Sequence, residues 1–371
     1  MVESTSWFQI NETDDIDSPA LLVYPKRVKS NLDVLKSLID DPARLRPHVK
    51  THKCQEVVIM TMAAGIHKFK CSTIAEAEML GMCFAKDVIF AYQPTGPKLR
   101  RFMKIIRKYP ATSFSCLVDN IDSATEIALS SDRSKLTVSV YIDVNVGMNR
   151  TGVSLQSVMP LYRFCKQLPS LIIRGLHCYD GHITDQEFTI RFKLCHAWFS
   201  EVEKIQLQLF AEGYPKLIIV AGGTPTFTVH ARTPEIECSP GTFIYFDKGY
   251  EHLLNENNFK PAALVLCRVI SVMGDGKICL DLGYKSVAAE SELGKRVIFL
   301  NATELKVISQ SEEHLVMQAK SDHLYKVGDV LYGLPWHICP TVALYERVTI
   351  IENRLKSGEW FTVARDRKIT I

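Results

Sequence analysis

Two histidines, two lysines and an arginine stand within residues 46–53, after one helix-like segment and before another. Pro47 favours an extended conformation for the residue before it and ends any helix there. In an extended chain His48, Lys50 and His52 lie on one side, so an imidazole would stand on either side of Lys50. Partial burial beside other cations lowers the pKa of a lysine and frees its amine as a nucleophile or base. We therefore predict a reactive amine at Lys50, with a solvated basic loop as the alternative.

The order of the surrounding segments predicts the scaffold that positions this amine. Extended apolar runs alternate with helix-like segments, and eight such units over roughly 200 residues predict a closed (β/α)8 barrel. An open doubly wound sheet is the alternative, but the GxGxxG turn typical of its first strand is not in the sequence. The eight runs are residues 45–50, 68–73, 87–92, 112–118, 137–144, 173–179, 216–223 and 236–245.

After residue 250 the pattern changes to short, β-branched runs separated by turns such as Gly274-Asp275-Gly276. Closely spaced runs of this kind predict antiparallel strands. We predict a TIM-like α/β barrel domain over residues 18–250, which includes a short apolar strand at residues 20–24. An all-β C-terminal domain then covers residues 251–371, with residues 1–17 as a candidate addition.

In a barrel of this kind the chemistry lies at the C-terminal ends of the strands. Gly222 and Gly223 end the seventh predicted strand and Thr224 follows it, and Gly241 and Thr242 lie in the eighth. Free backbone N–H groups and hydroxyls in such loops are suited to a phosphate. Two of these loops together with an amine at the first strand indicate a phosphate-bearing aldehyde cofactor, and pyridoxal phosphate fits that description.

Three further residues follow predicted strands and are candidates for the same site. Arg150 stands between two glycine turns after the fifth strand, and Tyr179 and His182 follow the sixth. The alternatives are a core position for Tyr179 and a helix cap for His182.

The second domain contains one segment with similar chemistry, around His337 and Cys339. In an extended chain these two side chains lie on the same face, one pleat apart. Imidazole and thiolate are preferred ligands of zinc. Because catalytic zinc usually has three protein ligands, water, substrate or a further residue must complete the site. The alternative is a packed histidine and a buried thiol.

Composition excludes several classes of partner. A net charge of +3 predicts neither a nucleic acid nor an anionic membrane. No apolar run reaches the roughly 18 residues of a membrane span, and the polar N-terminal segment does not have the pattern of a signal peptide. Eleven cysteines without a CxxC pair predict reduced core thiols, and hence a cytoplasmic protein.

These segments resemble the fold-type III pyridoxal-phosphate enzymes, the alanine racemase-like barrel group, and within it the D-serine dehydratase / D-threonine aldolase family. The resemblance covers nearly the whole chain. Residues 46–53 resemble the cofactor-lysine motif, residues 69–78 the second-strand motif, and residues 240–242 the phosphate-binding turn. Residues 148–152 are similar to the racemase segment whose arginine contacts the phenolic oxygen of the cofactor. The resemblance implies a Schiff base on Lys50, a contact from Arg150, and a homodimer.

Two positions separate the members of this group. His337 and Cys339 are similar to the metal pair of eukaryotic-type D-serine dehydratases, where the ion is zinc, whereas several aldolases have aspartate in the second place. Ser239 stands where alanine racemase has an arginine that faces the pyridine nitrogen. This difference disfavours racemisation and leaves the partner of that nitrogen unassigned.

The resemblance therefore implies a lyase that uses pyridoxal phosphate and a metal and acts on a small D-3-hydroxy amino acid. We expect dehydration of D-serine to pyruvate and ammonia, with Lys50 removing the Cα proton and the metal binding the β-hydroxyl. The alternative is a D-threonine aldolase in which His182 is the base. An amino-acid racemase and a non-catalytic binding protein for the cofactor are weaker alternatives.

Overall fold

The computed structural model describes residues 7–254, 256 and 258–371, so the first six residues of the candidate addition 1–17 lie outside it. Within the described part, the longest apolar helices fall short of what crossing a membrane requires. All eleven cysteines are free, and ten of them are buried, which confirms the predicted core thiols. The chain enters through strand β1 (Ala20–Val23) and helix α1 (Pro25–Ser37).

Seven parallel strands then form the first sheet, and each pairs with the next strand along the chain. Parallel neighbours need crossover connections, and helices supply them here. The strands are β2 (Lys68–Cys71), β3 (Asp87–Phe90), β4 (Ser113–Val118), β5 (Val138–Asp143), β6 (Leu171–His177), β7 (Ile218–Ala221) and β8 (Ile236–Cys238). The helices are α2 (Gln55–Ala63), α3 (Ile74–Met82), α4 (Gly96–Lys108), α5 (Ile121–Ser134), α6 (Leu155–Lys166), α7 (Phe188–Ala211) and α8 (Phe227–His230).

The segment that precedes Lys50 fills the gap between the first and last strands of this sheet. Leu45 forms a parallel bridge with Cys238 of β8, and His48 forms one with Lys70 of β2. Backbone hydrogen bonds of 2.8–3.0 Å cross both gaps. The barrel is therefore closed as predicted, but two isolated bridges take the place of a regular first strand. The open doubly wound alternative is wrong.

The arginine of the basic segment has a structural role inside the barrel. Arg46 is fully buried and donates to Asp87 Oδ1 at 2.6 Å and to Glu237 Oε2 at 2.8 Å. A buried cation is tolerated when charged acceptors replace its hydration, and two carboxylates do so here. Since Asp87 is the first residue of β3, this ion-pair cluster lies away from the C-terminal strand ends.

The second sheet contains nine strands in the order β12-β13-β10-β9-β1-β15-β16, with β14 paired to both β9 and β11. Its pairs are antiparallel except for β1 with β15. Helices α9 (Lys248–Leu253) and α10 (Ile338–Val342) accompany it. Its later strands are β9 (Ala263–Val272), β10 (Lys277–Leu280), β11 (Val297–Phe299), β12 (Lys306–Gln310), β13 (Leu315–Gln318), β14 (Val330–Pro335), β15 (Arg347–Glu352) and β16 (Leu355–Phe361).

The structure differs from the sequence-based expectation at two strands. β1, which we expected at the start of the barrel domain, pairs with β9 and β15 in the second sheet. Its four residues are all buried, and Phe8, Ile10 and Ile16 pack on one of its faces. An apolar run indicates a strand but not the sheet that it joins. β16 was not predicted because its residues are mostly exposed and lack apolar alternation.

Candidate active site

Lys50 lies at the C-terminal edge of the barrel, where the chain leaves its bridge at His48 and turns over residues 49–52. The predicted extended arrangement, with an imidazole on either side of Lys50, is therefore not formed. His48 Nδ1 accepts a hydrogen bond from the Lys50 amide at 3.1 Å, whereas His52 Nδ1 accepts one from the Cys54 amide at 3.2 Å. The turn directs the half-buried Lys50 into a cavity that His48 also lines.

Three cations converge on one aromatic ring in this cavity. The Nζ atoms of Lys50 and Lys70 lie 6.0 and 5.2 Å from the centroid of the Tyr179 ring, and Arg150 Cζ lies 5.0 Å from it. The three cations, Tyr179 and His177 belong to the lining of the same cavity. A concentration of positive charge in a concave site favours an anionic ligand.

The floor of the cavity is a hydrogen-bonded group to which the sequence analysis assigned no role. Lys70 Nζ donates to Ser239 Oγ at 2.5 Å and lies 3.5 Å from His177 Nε2. His177 Nδ1 and Asp143 Oδ1 are 2.7 Å apart. Burial, followed by the charge of Lys50, lowers the pKa of Lys70 to about 7. Burial raises the pKa of Asp143, but the hydrogen bonds from His177, Thr151 and Gln93, with the charge of His177, together leave this pKa below its usual value.

The two glycine-containing loops meet beside Lys50. Thr224 Oγ1 accepts hydrogen bonds from the amides of Gly241 and Thr242 at 3.2 and 3.0 Å, so the loops after β7 and β8 form one surface. Gly222 has a φ of +71°, in the left-handed region that side chains disfavour. These residues, with the adjacent buried Gly223, form a cradle of backbone amides and hydroxyls. A phosphate bound there would take the place of Thr224 Oγ1 as the acceptor for the Gly241 and Thr242 amides.

Gly241→Ala is expected to weaken binding of pyridoxal phosphate by about tenfold to a hundredfold. A Cβ at Gly241 would lie 3.0 Å from the carbonyl oxygen of His48 and 3.1 Å from its Cβ, so the segment that carries Lys50 must move. Equilibrium dialysis of the apo protein measures the affinity. Gly294→Ala is the matched control, because a Cβ there meets nothing within 4 Å. Equal affinities in both variants would place the phosphate elsewhere.

His182 is the one predicted site residue of the barrel that stands apart. Its side chain is exposed, and its Nε2 packs 2.6 Å from the position that a Cβ of Gly147 would take. It does not belong to the lining of the Lys50 cavity. Its role as a base therefore stays a prediction.

The two candidate metal ligands of the second domain, His337 and Cys339, lie at the barrel site. Cys339 Sγ lies 3.1 Å from Thr51 Oγ1 and 3.5 Å from Thr242 Oγ1, beside Lys50 and the phosphate cradle. The segment is not extended, because His337 caps α10 and Cys339 lies in its first turn. The two side chains nevertheless hydrogen bond to each other. The spacing of these two residues in the sequence did not predict that they lie at the candidate active site of the barrel domain.

The two side chains change each other's ionisation. Burial raises the pKa of Cys339, but the hydrogen bond from His337 and the charge of Lys50 bring it below the usual value of a thiol. Burial lowers the pKa of His337, but its contacts with Cys339 and Glu290 raise it to about 9. His337 Nδ1 lies 2.5 Å from Glu290 Oε1, an arrangement that fixes an imidazole and leaves Nε2 to bind a metal.

A second group of metal-capable side chains, Asp180, Cys195 and His230, is enclosed next to the phosphate cradle. Their ligand atoms lie within 4.8 Å of one another. Asp180 already accepts hydrogen bonds from His230 at 2.6 Å, Thr226 at 2.7 Å and Cys195 at 3.5 Å. With these bonds in place, the group connects the end of β6 to the loop after β7.

The residues around Lys50 fit pyridoxal phosphate. The cofactor requires an amine for its aldehyde carbon, cations for its phenolate and phosphate, and close backbone approach for the phosphate. Lys50 offers the amine and Arg150 offers a cation. At the cradle, Gly222 has a left-handed φ that side chains disfavour, and a Cβ on Gly241 would lie only 3.0 Å from the His48 carbonyl oxygen. Tyr179 is in contact with the cradle, since its ring lies 3.1 Å from the position of a Cβ on Gly223.

Sequence comparisons find relatives along nearly the whole chain. The protein is 26% identical over 362 residues to the D-threonine aldolase of Arthrobacter sp, covering 94% of this chain and 93% of the relative. It is 24% identical over 296 residues to the D-threo-3-hydroxyaspartate dehydratase of Delftia sp. (strain HT23), covering 74% and 73%. It is 22% identical over 391 residues to the D-serine dehydratase of Dictyostelium discoideum, covering 93% and 96%.

Solved structures share the fold. The D-threonine aldolase of Filomicrobium marinum superposes with a TM-score of 0.84 at 22% identity, covering 95% of this chain and 96% of its own. A cysteine variant of D-threo-3-hydroxyaspartate dehydratase, solved in its metal-free form, superposes with a TM-score of 0.82 at 20% identity, covering 94% and 98%.

Family models match both parts of the chain. Residues 262–351 match the model described as "Putative serine dehydratase domain". Residues 23–249 match the model described as "Alanine racemase, N-terminal domain". Since the second match covers more than half of the chain, the protein belongs to the alanine racemase N-terminal domain family, the fold group whose cofactor is pyridoxal phosphate.

Proposed function

We propose that this protein is a lyase that uses pyridoxal phosphate and zinc to dehydrate a small D-3-hydroxy amino acid, with D-serine as the best candidate. The observation that carries the proposal is the position of Cys339. Its Sγ lies 3.1 Å from Thr51 Oγ1, next to the predicted cofactor lysine Lys50. A metal held by His337 and Cys339 would therefore belong to the Lys50 site rather than to a separate structural site.

Residues of the barrel domain are placed to bind the cofactor and to move the Cα proton. Lys50 Nζ carries the cofactor, and when this nitrogen is free it is placed to take a proton from Cα of the substrate. The amides at and beside Gly222 and Gly241 would hold the phosphate, and Arg150 would hold the phenolic oxygen. When bound, the cofactor accepts the negative charge that develops at Cα.

The metal pair acts on the β-hydroxyl group. A zinc ion supplies Lewis acidity, which makes hydroxide a better leaving group. His337 and Cys339 offer the nitrogen and sulfur donors that zinc prefers. Glu290 orients His337, and Thr51 and Thr242 hold Cys339 by their hydroxyls. The net reaction takes D-serine to pyruvate and ammonia, with one water lost on elimination and one consumed on hydrolysis.

A D-threonine aldolase is the second candidate. It is favoured by the 26% identity to the aldolase of Arthrobacter sp. In that reaction His182, as the proposed base, would take the proton of the β-hydroxyl as the Cα–Cβ bond breaks, and a metal held by His337 and Cys339 would supply Lewis acidity. Cys339 favours the dehydratase, because several aldolases carry aspartate at that place. A racemase needs no metal for its reaction, and a non-catalytic protein has no use for a metal beside the reacting carbon.

Product analysis tests the proposal. The protein is loaded with pyridoxal phosphate and zinc and given D-serine, D-threonine and their L enantiomers as controls. We expect pyruvate and ammonia from D-serine, at a higher kcat/KM than any product from the L enantiomers. Glycine and acetaldehyde from D-threonine as the main products would identify the aldolase. Interconversion of enantiomers without cleavage would contradict both.

A further inference from the structure

Lys70 is a buried cation that the proposed reaction does not use. Only 3% of its surface is exposed, and it lies on β2 inside the barrel. Its Nζ reaches Ser239, directly after β8, and His177 on β6, so its side chain crosses the barrel interior below the turn that carries Lys50. Burying a lysine is unfavourable for folding unless its ammonium is compensated. A lysine at this position therefore needs acceptors around its amine.

The neighbours of Lys70 are arranged as acceptors. Asp143 accepts from Thr151 Oγ1 at 2.7 Å and from Gln93 Nε2 at 3.0 Å, and its other oxygen contacts His177 Nδ1. A carboxylate at Nδ1 places the imidazole proton there and leaves Nε2 as an acceptor. Nε2 therefore faces Lys70 with a lone pair.

In its protonated form the Lys70 amine has three N–H donors, and a further acceptor beside it favours that form. Among the described residues, Lys70 Nζ is hydrogen bonded to Ser239 Oγ and to His177 Nε2, and to no third acceptor. Nζ also lies 5.2 Å from the centroid of the Tyr179 ring, in the lining of the cavity that contains Lys50. One donor is thus available to a ligand at the bottom of the cavity.

The chemistry of the cofactor determines which of its atoms reaches that depth. In pyridoxal phosphate the ring nitrogen is opposite the carbon that carries the aldehyde, and one ring carbon separates it from the carbon with the phosphate arm. Lys50 is half-buried and Arg150 is exposed, whereas Lys70, His177 and Ser239 are buried. A ring attached to Lys50, with its phosphate in the cradle that follows Ser239, therefore directs its nitrogen inward.

We propose that Lys70, held by Ser239 and His177, donates a hydrogen bond to the ring nitrogen of the cofactor. Lys70 on β2 thus supplies the donor. Ser239, directly after β8, does not supply it, because its side chain is too short and uncharged. A donor at this nitrogen engages its lone pair and keeps a proton from being bound there, which limits the negative charge that the ring accepts. Such a ring suits an elimination that a metal assists. This inference rests on the proposed use of pyridoxal phosphate, but not on which lyase reaction is catalysed.

A cofactor analogue with C–H in place of the ring nitrogen tests the proposal. Apo protein is equilibrated with pyridoxal phosphate or with this analogue, and the dissociation constants are measured by dialysis. We expect the wild-type protein to bind the analogue about tenfold to a hundredfold more weakly, because it leaves a charged donor unpaired. In Lys70→Met the two constants should agree within about twofold.

Lys68→Met is the matched control. Lys68 lies two residues earlier on β2 and is ion-paired with Glu237, so its loss removes a lysine from the same strand without touching the cavity floor. This variant should retain the wild-type preference. Equal binding of both compounds by the wild-type protein, which needs no folded variant, would overturn the proposal. If Lys70→Met still bound pyridoxal phosphate more tightly than the analogue, as the wild-type protein is expected to, the proposal would also be overturned. Failure of the protein to bind pyridoxal phosphate at all would overturn the proposed function as well.

Discussion

Lys50→Ala is expected to remove the covalent attachment of pyridoxal phosphate and to lower turnover by about a thousandfold or more. Lys50 Nζ is the amine at the mouth of the cavity, beside the cradle formed by the Gly222 and Gly241 loops. The visible absorbance band of the bound cofactor should therefore be lost. Borohydride reduction of the wild-type protein, followed by peptide mapping, should place the cofactor label on Lys50.

The structure adds a control that this experiment requires, because Lys70 is a second amine in the same cavity. Its hydrogen bond with Ser239 holds it deeper in the barrel, so it should not replace Lys50. The double variant Lys50→Ala with Lys70→Met distinguishes the two amines. If Lys50→Ala kept a full absorbance band, and the double variant lost it, Lys70 would be the attachment site and the assignment of Lys50 would be wrong.

Removing the metal pair is expected to separate cofactor binding from catalysis. Chelation, or Cys339→Ala, should leave the cofactor absorbance and its response to D-serine nearly unchanged. Turnover should fall by about two to four orders of magnitude, since a Lewis acid at the leaving group supplies several kcal/mol to the transition state. Exchange of the Cα proton with deuterated solvent should persist, because Lys50 performs that step without the metal.

Cys279→Ala is the matched control for this variant. Cys279 lies in β10 of the second domain, and its Sγ contacts only a backbone carbonyl among the hydrogen bonds of the described residues. The Cys279→Ala variant should keep its turnover, and metal analysis should find its zinc content unchanged. Full turnover of a metal-stripped preparation would contradict the proposed lyase mechanism and return His337 and Cys339 to a structural role.

The convergence of most candidate residues was predictable, because the C-terminal ends of the strands in a parallel barrel meet at one edge. Lys50, Arg150 and the Gly222 and Gly241 loops follow different strands, and closure of the barrel brings their ends together. Lys70 received no role, although a lysine within the apolar run of residues 68–73 was a visible signal. Its significance depends on Ser239 and His177, which are distant in sequence and adjacent only across the barrel.

The sequence by itself determined the alternation of strands and helices, the change to short strands after residue 250 and the identity of the candidate chemical groups. These features are local, since periodicity and turn residues depend on near neighbours along the chain. Only the tertiary structure decided that β1 joins the second sheet, that two bridges close the barrel, and that Cys339 reaches Thr51 from the other domain. These contacts join residues far apart in the chain, so they follow from packing and burial across the whole molecule and not from any local pattern.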